Sequence, residues 1–266
     1  MIDPRRALLV AELTAGGRSA SRYAVPHAHA FARPWSRLVA GLVLRLARVP
    51  LLDQFAIREE VFYDLLVRRL ATEPHGLLVD IGSGFSTLGY RWAQARPDCQ
   101  VFELDLPEVS ERKRQRVEAL GRPANWRTHG LDLERQPLSS VLAGARARVL
   151  VAQGVFPYFS EAEIAERLGR WRRECLLEDG LVLFDLLDAG FPGSTTANRR
   201  QGLFKSRFDS PAAAVALLHR AGFSQAEVLP LNALGAAHGW PNPGPNGLFV
   251  CVGECSGSTP MGEVGV

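Results

Sequence analysis

The chain has 266 residues, 47% of them hydrophobic, and a formal net charge of +3. This composition supports one good hydrophobic core. The basic residues are mostly scattered arginines, and clusters such as 170–173 are more typical of a solvated helix face than of a nucleic-acid stripe. The apolar run 38–52 is too short and too often interrupted by arginine to span a bilayer. We therefore expect neither a nucleic-acid partner nor a membrane partner.

The four cysteines include no C-x-x-C pair, which favours reduced thiols in a cytoplasmic protein. Cys251 and Cys255 lie near His238 in sequence, but their number and spacing are poor for zinc. We therefore expect no metal site.

Residues 1 to about 72 are interpreted as a helical cap over the mouth of a pocket. Caps of this kind usually supply contacts to a substrate. This one contains His27, His29, Phe31 and Trp35 as candidates.

The most informative stretch is 78–84, with the sequence LVDIGSG. An apolar run ends in an acid and is followed by Gly82 and Gly84, which predicts a buried parallel strand, a tight turn and a helix opening at Phe85. Glycine allows the backbone to approach a ligand closely. A dinucleotide fingerprint would have a third glycine where this chain has Thr87. The pattern therefore favours a pocket for S-adenosylmethionine (SAM) over one for NAD.

A second strand begins near Gln100 and contains two acids, Glu103 and Asp105. The acid after the second strand of a Rossmann-like unit accepts hydrogen bonds from the ribose hydroxyls. Asp105 is favoured because it is nearer the carboxyl end of the strand, and Glu103 is the alternative. A further interpretation is that both acids merely open the next helix near Pro107.

The remaining predicted elements alternate between strands and helices. They are a strand from Trp126 with Asp132 at its exit, a strand from Val149 to Gln153, a helix over 160–178 with a Ser160–Glu163 capping box and a stop at Gly180, a strand over 181–187, a helix over 210–221 closed by Gly222, and strands over 226–231 and 247–253. The order predicts an α/β fold: a Rossmann-like seven-stranded sheet of the SAM-dependent methyltransferase type, with the last strand inserted antiparallel. We place this domain at 73–255 and expect a flexible tail at 256–266.

Four segments then carry a resemblance to one family. They are IREEVFYDLL at 57–66, DIGSGFSTLGYR at 80–91, FELDLPEV at 102–109 with Lys113, and QGVFPYF at 153–159. Their order and spacing resemble the leucine carboxyl methyltransferase family, which includes polyketide-type carboxyl O-methyltransferases. The resemblance implies SAM as cofactor and a SAM-dependent O-methyltransferase with a small-molecule acceptor.

The resemblance also implies roles for individual residues. Those implied to hold the cofactor are Arg58 and, more weakly, Arg22 at the SAM carboxylate, Gly82 at the methionine part beside Gly84, Asp105 at the ribose, Asp132 with the Leu133 backbone at the adenine, and Gln153 along the pocket. Tyr158 is the catalytic candidate, since it resembles a family tyrosine facing the transferred methyl. Ser86 and Gln153 stand where the family has acids, so negative charge near the cofactor is reduced.

Three of these residues also have plainer interpretations. Arg58 can be a solvated helix charge, Tyr158 a core aromatic, and Arg91 a structural ion-pair partner.

Methyl transfer from a sulfonium is an in-line displacement that requires alignment and exclusion of water. A carboxylate acceptor is already ionised at pH 7, whereas a hydroxyl acceptor needs a base. The exit of the fourth strand offers no histidine, and His27, His29 or His238 remain as bases. Methyl ester formation is therefore favoured. The alternatives are hydroxyl methylation and a SAM-binding protein without methyl transfer.

Overall fold

The computed structural model describes residues 4–21, 23, 25–47, 50–71, 76–191, 204–240 and 247–255. Its centre is a seven-stranded sheet, made of β1 Gly76–Ile81, β2 Cys99–Asp105, β3 Trp126–Gly130, β4 Ala147–Ala152, β5 Leu176–Leu187, β6 Gln225–Pro230 and β7 Leu248–Glu254. The strand order is β3-β2-β1-β4-β5-β7-β6. The pairings among the first five strands are parallel, and β7 is antiparallel to both neighbours. The predicted fold class and inserted last strand are confirmed.

Helices connect the strands and cover the sheet. They are α1 Pro4–Ala20, α2 Ala28–Phe31, α3 Pro34–Ala47, α4 Pro50–Arg69, α5 Leu88–Ala95, α6 Pro107–Leu120, α7 Ser139–Leu142, α8 Glu161–Glu174, α9 Pro211–Arg220 and α10 Leu231–Ala237. A 3-10 turn covers Phe156–Tyr158. The central strands are apolar because both faces of the sheet are buried there: Leu78 belongs to the hydrophobic cluster on one face and Val79 to the cluster on the other.

The turn after β1 is longer than predicted. The sequence places a helix start at Phe85, but α5 begins at Leu88. Gly82 and Gly84 both have positive φ angles, 64° and 49°, and the Ser86 N–H donates to the Ser83 carbonyl at 2.9 Å. The chain therefore completes a tight turn before helical geometry begins.

Gly180 does not stop a helix, so that prediction is wrong. The capping box at Ser160 and Glu163 is present, but α8 ends at Glu174 and Gly180 lies inside β5. The register with β4 shifts at this point, because Ala147 pairs with Leu176 whereas Val149 pairs with Leu181. A glycine in a strand often marks such an irregularity. Helix α10 lies between the last two predicted strands and was not predicted from the sequence.

The N-terminal helices pack against the sheet domain and against each other. At Gly16 of α1, a Cβ atom would clash with the Ser36 carbonyl of α3, so the two helices approach closely. Glu12 of α1 is paired with Arg116 of α6. The boundary predicted near residue 72 and the tail 256–266 lie outside the described residues, so this division of the chain stays a prediction.

No helix of the described residues is long and apolar enough to cross a bilayer. No cluster of three or more His, Cys, Asp or Glu side chains suited to a metal ion occurs within the same residues.

Candidate active site

A cavity of about 400 Å³ lies where β1, β2, β4 and β5 end. One wall is formed by the glycine turn and the ends of these strands. The opposite wall contains Ala7, Val10, Ala11 and Thr14 of α1. Ligands of open α/β sheets bind at this edge of the sheet.

The glycine turn lines the cavity with backbone atoms, because Gly82 and Gly84 have no side chains. A Cβ atom on Gly82 would lie 2.5 Å from a Val155 methyl carbon, so a side chain does not fit. The Gly84 N–H donates to Oδ2 of Asp105 at 2.7 Å, and the Leu106 N–H donates to Oδ1 at 2.7 Å. Burial raises the pKa of the Asp105 carboxyl, and these two hydrogen bonds oppose that shift. Asp105 is thus fixed at the cavity, with lone pairs left for further donors.

Glu103, the alternative to Asp105, has a different environment. Its side chain is fully buried outside the cavity, 2.9 Å from Lys113 Nζ, and it accepts from Trp126 Nε1 at 3.0 Å. The structure therefore brings Asp105, and not Glu103, to the cavity.

Arg58 of α4 also lines the cavity. Its Nη1 donates to Oδ2 of Asp185 on β5 at 2.7 Å, and the Gly154 N–H donates to Oδ1 at 2.6 Å. Both side chains are buried, so Arg58 is not a solvated helix charge. Its Nε has no hydrogen-bond partner among the described residues. Sequence reasoning missed Asp185, an isolated acid within an apolar strand.

A second buried arginine, Arg18 of α1, also lines the cavity. Its Nε lies 3.0 Å from Oε2 of Glu59, whose carboxylate also accepts from the Thr87 N–H at 2.8 Å. Burial alone would raise the pKa of Glu59, but Arg18 and Thr87 hold it below the usual value. Arg22, the basic residue chosen from the sequence, lies outside the described residues. Arg18 lies four positions earlier in the sequence and was missed.

Two polar side chains in the cavity wall have unused hydrogen-bonding groups. Both carboxyl oxygens of Asp80 and both amide atoms of Gln153 are buried with no hydrogen-bond partner in the part of the chain that the structure describes. Burial raises the pKa of Asp80 well above its usual value. Buried polar groups are nearly always hydrogen-bonded, so these atoms point to a ligand that pairs with them.

The predicted adenine end of the cavity follows β3. Asp132 and Leu133 both line it. Asp132 Oδ1 accepts from the Glu134 N–H at 3.0 Å, and the Leu133 carbonyl accepts from Arg167 Nη1 at 2.8 Å. Ser86, where the family has an acid, is buried and accepts from the Leu88 N–H at 3.2 Å, so it helps to cap α5.

Tyr158 lines the cavity at the 3-10 turn, where its ring centroid lies 5.9 Å from that of Phe204. Burial raises the pKa of its phenol, and the positive charges of Arg58 and Arg6 oppose the shift. Arg6 is exposed on α1 and lines the same cavity. No acidic partner of Arg6 occurs among the described residues. Arg6 was not singled out from the sequence.

The cap residues expected to contact a substrate do not line the cavity. Phe31 is fully buried in the core, and His27 packs edge-on against Tyr90 at 5.3 Å between ring centroids. His29 shares a hydrogen bond of 2.6 Å with Ser19, and Trp35 is exposed. These side chains thus point towards the core, towards neighbouring side chains or towards solvent.

Two further candidates have partners outside the cavity. His238 Nε2 lies 3.2 Å from Asp64 Oδ2, and its ring stacks on Trp240. Arg91 pairs with Glu60, which favours the structural interpretation of Arg91. No histidine of the described residues lines the cavity.

The sequence model described as leucine carboxyl methyltransferase matches residues 31–171, which is more than half of the chain. The chain belongs to the leucine carboxyl methyltransferase family. The resemblance predicted from the four segments is confirmed. No curated protein matches the chain.

Solved structures of similar fold are O-methyltransferases and other methyltransferases. The apo SAM-dependent methyltransferase SibL is 20% identical over 79% of this chain and 61% of its own, with a TM-score of 0.53. A putative O-methyltransferase from Nostoc punctiforme is 13% identical over 92% and 70%, with a TM-score of 0.53. Human N-acetylserotonin methyltransferase, solved with SAM, is 18% identical over 95% and 67%, with a TM-score of 0.52. This leucine carboxyl methyltransferase family member thus spans less than two thirds of the SibL chain, and these similarities concern the fold.

Proposed function

We propose that the protein is a SAM-dependent O-methyltransferase that converts a small-molecule carboxylate into its methyl ester. The observation that supports this choice of acceptor is the charge arrangement in the cavity. Arg18 and Arg58 each face a carboxylate of the protein, whereas Arg6, beside Tyr158, faces none among the described residues. A negatively charged acceptor would supply that missing partner.

The residues in the cavity fit SAM. Gly82 leaves room for backbone contact, and Asp105 can accept from the ribose hydroxyls. Asp132 and the Leu133 backbone would hold the adenine. Arg58 retains a free donor for the cofactor's carboxylate, and Gln153 offers an unpaired amide.

Asp80 is a further residue of the cavity that suits SAM. Its buried carboxyl has no hydrogen-bond partner in the described protein and faces the same cavity. An ammonium group of a ligand would pair with it and restore its ionised form. SAM carries such a group, so Asp80 is included among the proposed cofactor contacts.

SAM supplies an electrophilic methyl group on a sulfonium. The protein's contribution is to orient the acceptor and exclude water. Arg6 would attract the acceptor carboxylate, and the Tyr158 hydroxyl would donate a hydrogen bond to it. Because burial raises the pKa of Tyr158, the hydroxyl stays protonated near neutral pH and acts as a donor.

A general base is unnecessary for this reaction. A carboxylic acid titrates near 4, so the acceptor is already a nucleophile at pH 7. The lack of histidine in the described cavity wall agrees with that requirement. A hydroxyl acceptor would need a proton acceptor there.

The test is transfer of label from methyl-labelled SAM to a panel of small carboxylic acids and phenols. A mild base wash then releases label from esters but not from aryl ethers. Base-labile product from acids supports the proposal, and base-stable product from phenols makes the protein a hydroxyl methyltransferase. SAM binding measured by calorimetry, with no transfer to any acceptor, would favour a SAM-binding protein without methyl transfer.

A further inference from the structure

Lys113 of α6 is a buried cation that the proposed cofactor contacts do not include. Its side chain is completely buried, and its Nζ lies 2.9 Å from Oε2 of Glu103. Lysine is among the residues least often found fully buried, unless it is paired. Glu103 supplies that pairing, but an ammonium group has two further N–H donors. The partner of a second donor therefore indicates what else Lys113 does.

The second partner of Lys113 is the glycine turn after β1. Lys113 Nζ donates to the Ser83 carbonyl at 3.3 Å. The same carbonyl accepts from the Ser86 N–H at 2.9 Å, and the Ser83 N–H donates to the Leu104 carbonyl of β2 at 3.0 Å. The backbone of the turn is thus held by its own hydrogen bond, by β2 and, through Lys113, by α6.

One peptide group connects Lys113 to Asp105. The Ser83 carbonyl and the Gly84 N–H belong to the same trans peptide, so they point in opposite directions. The carbonyl accepts from Lys113, and the N–H donates to Oδ2 of Asp105 at 2.7 Å. Glycine permits many backbone conformations, so contacts from outside the turn are needed to hold this peptide in one orientation. Rotation of the peptide would break both hydrogen bonds together.

We propose that Lys113 is a positioning residue for the cofactor: it fixes the Ser83–Gly84 peptide and, through that peptide, the Asp105 carboxylate that accepts from the ribose hydroxyls. The inference rests on the ribose role of Asp105 in the proposed function. The charge of Lys113 acts in the same direction. Burial raises the pKa of the Asp105 carboxyl, and the two backbone hydrogen bonds and the positive charge of Lys113 oppose that shift. Lys113 therefore favours both the position and the ionised form of the ribose acceptor.

The test introduces Lys113→Met into protein that already carries Glu103→Gln, because a glutamate left buried without its cation would destabilise the fold by itself. Glutamine keeps an oxygen that accepts from Trp126, and methionine is close to lysine in volume but has no donor. Glu103→Gln alone is the matched reference, and thermal unfolding followed by circular dichroism checks that both variants are folded. We expect calorimetry to show SAM binding about 3- to 10-fold weaker in the double variant than in the reference, the range of one net hydrogen bond.

Two further measurements separate positioning of the carboxylate from a general loss of structure. Adenosine has the ribose hydroxyls, and 2′,3′-dideoxyadenosine lacks them. The reference should bind adenosine more tightly than the dideoxy compound, and Lys113→Met should reduce that preference by a similar factor, because only adenosine uses the Asp105 carboxylate. In a background that also carries Asp105→Ala, Lys113→Met should weaken SAM binding by less than about twofold, since the group that it positions is already absent.

Three results would overturn the inference. The first is a double variant that binds SAM as tightly as Glu103→Gln alone. The second is an equal loss of affinity for the two nucleosides, which would mean that Lys113 acts through the fold. The third is a full loss that persists in the Asp105→Ala background, which would make the two residues independent. Failure of the proposed function gives a different pattern: wild type then binds no SAM, or binds the two nucleosides equally well, and the inference fails with it.

Discussion

The two walls of the cavity differ in how their side chains are held. On the sheet side, the Asp105 carboxylate accepts from the backbone of Gly84 and Leu106, and Arg58 is paired with Asp185 of β5. On the α1 side, small residues such as Ala7 and Ala11 alternate with the exposed Arg6. A cofactor shared by a whole fold class requires a fixed site, whereas an acceptor site can change by substitution on one helix. We therefore expect sheet-side substitutions to act on stability and SAM binding, and α1 substitutions to act on the acceptor.

The largest expected effect is that of Arg58→Ala. It leaves the carboxylate of Asp185 buried without its cation, which should lower the free energy of unfolding by about 3–5 kcal/mol. Chemical denaturation measures this loss. Adding Asp185→Asn to Arg58→Ala should recover much of the stability, because the buried charge is then removed, but should not recover SAM affinity.

The role of Arg58 in binding is separated by comparing two ligands. Calorimetry on folded Arg58→Ala protein should show a greater loss of affinity for SAM than for adenosine, which lacks the carboxylate. Equal losses for both ligands would mean that Arg58 acts on the fold alone.

Asp105 and Glu103 offer a sharper contrast on one strand. Asp105→Ala should weaken SAM binding by roughly 1–3 kcal/mol, because two ribose hydroxyls lose their acceptor in a partly buried site. Glu103→Gln should leave SAM affinity nearly unchanged and lower stability, because Lys113 is left buried without its counter-charge. If Glu103→Gln abolished SAM binding while Asp105→Ala did not, the ribose role would belong to Glu103.

Arg6→Ala tests the α1 side. The proposed pairing predicts that the KM for a carboxylate acceptor rises about 3- to 10-fold, the range of an ordinary net hydrogen bond, while the SAM dissociation constant stays constant. Arg5→Ala is the matched control, since Arg5 is the adjacent exposed arginine and does not line the cavity. Arg6→Lys should retain part of the effect. Equal KM values for wild type and Arg6→Ala, with ester still formed, would remove Arg6 from the acceptor site.

Tyr158→Phe should lower turnover modestly and leave SAM affinity unchanged, since the ring remains and only the hydroxyl is lost. The wild-type chemical step should depend little on pH between about 6 and 8.5, because the acceptor carboxylate stays ionised and the Tyr158 phenol stays protonated across that range.

The smallest effects are expected for His27→Gln, His29→Gln and His238→Gln, whose side chains lie outside the cavity. Single-turnover rates across the pH range measure this. A rate that rises with one ionisation near 6.5 and vanishes in one of these variants would contradict the carboxylate proposal and identify that histidine as a base.

The strand order was predictable from sequence because its signals are local. The central parallel strands β1, β4 and β5 contain apolar runs, and the turns after β1 and β4 contain glycines, as at Gly82, Gly84 and Gly154. The helix start at Leu88 was missed because two positive-φ glycines extend the turn, which residue types alone do not specify. Gly180 was misinterpreted because a glycine at a strand irregularity resembles a glycine at a helix end.

The site was less predictable, since its pairs join residues far apart in the chain. Arg58 and Asp185 are 127 positions apart. The residues around Asp185 in the sequence give no sign that this acid in an apolar strand has a buried cationic partner. The cap histidines were chosen for their chemistry, but tertiary packing decides which helix face meets the cavity. Arg6 and Arg18 could not be preferred over other N-terminal arginines without knowing how α1 is oriented.

Gly16 couples the position of α1 to the size of the acceptor site. Ala7, Ala11, Thr14 and Arg18 are spaced by three or four residues, so they share the face of α1 that meets the cavity, and Gly16 projects from the opposite face towards α3. The separation between two helix axes thus determines how far α1 enters the cavity. A larger residue at position 16 would act as a spacer that pushes α1 inward, and the range of accepted molecules would narrow without any change to a residue that touches them.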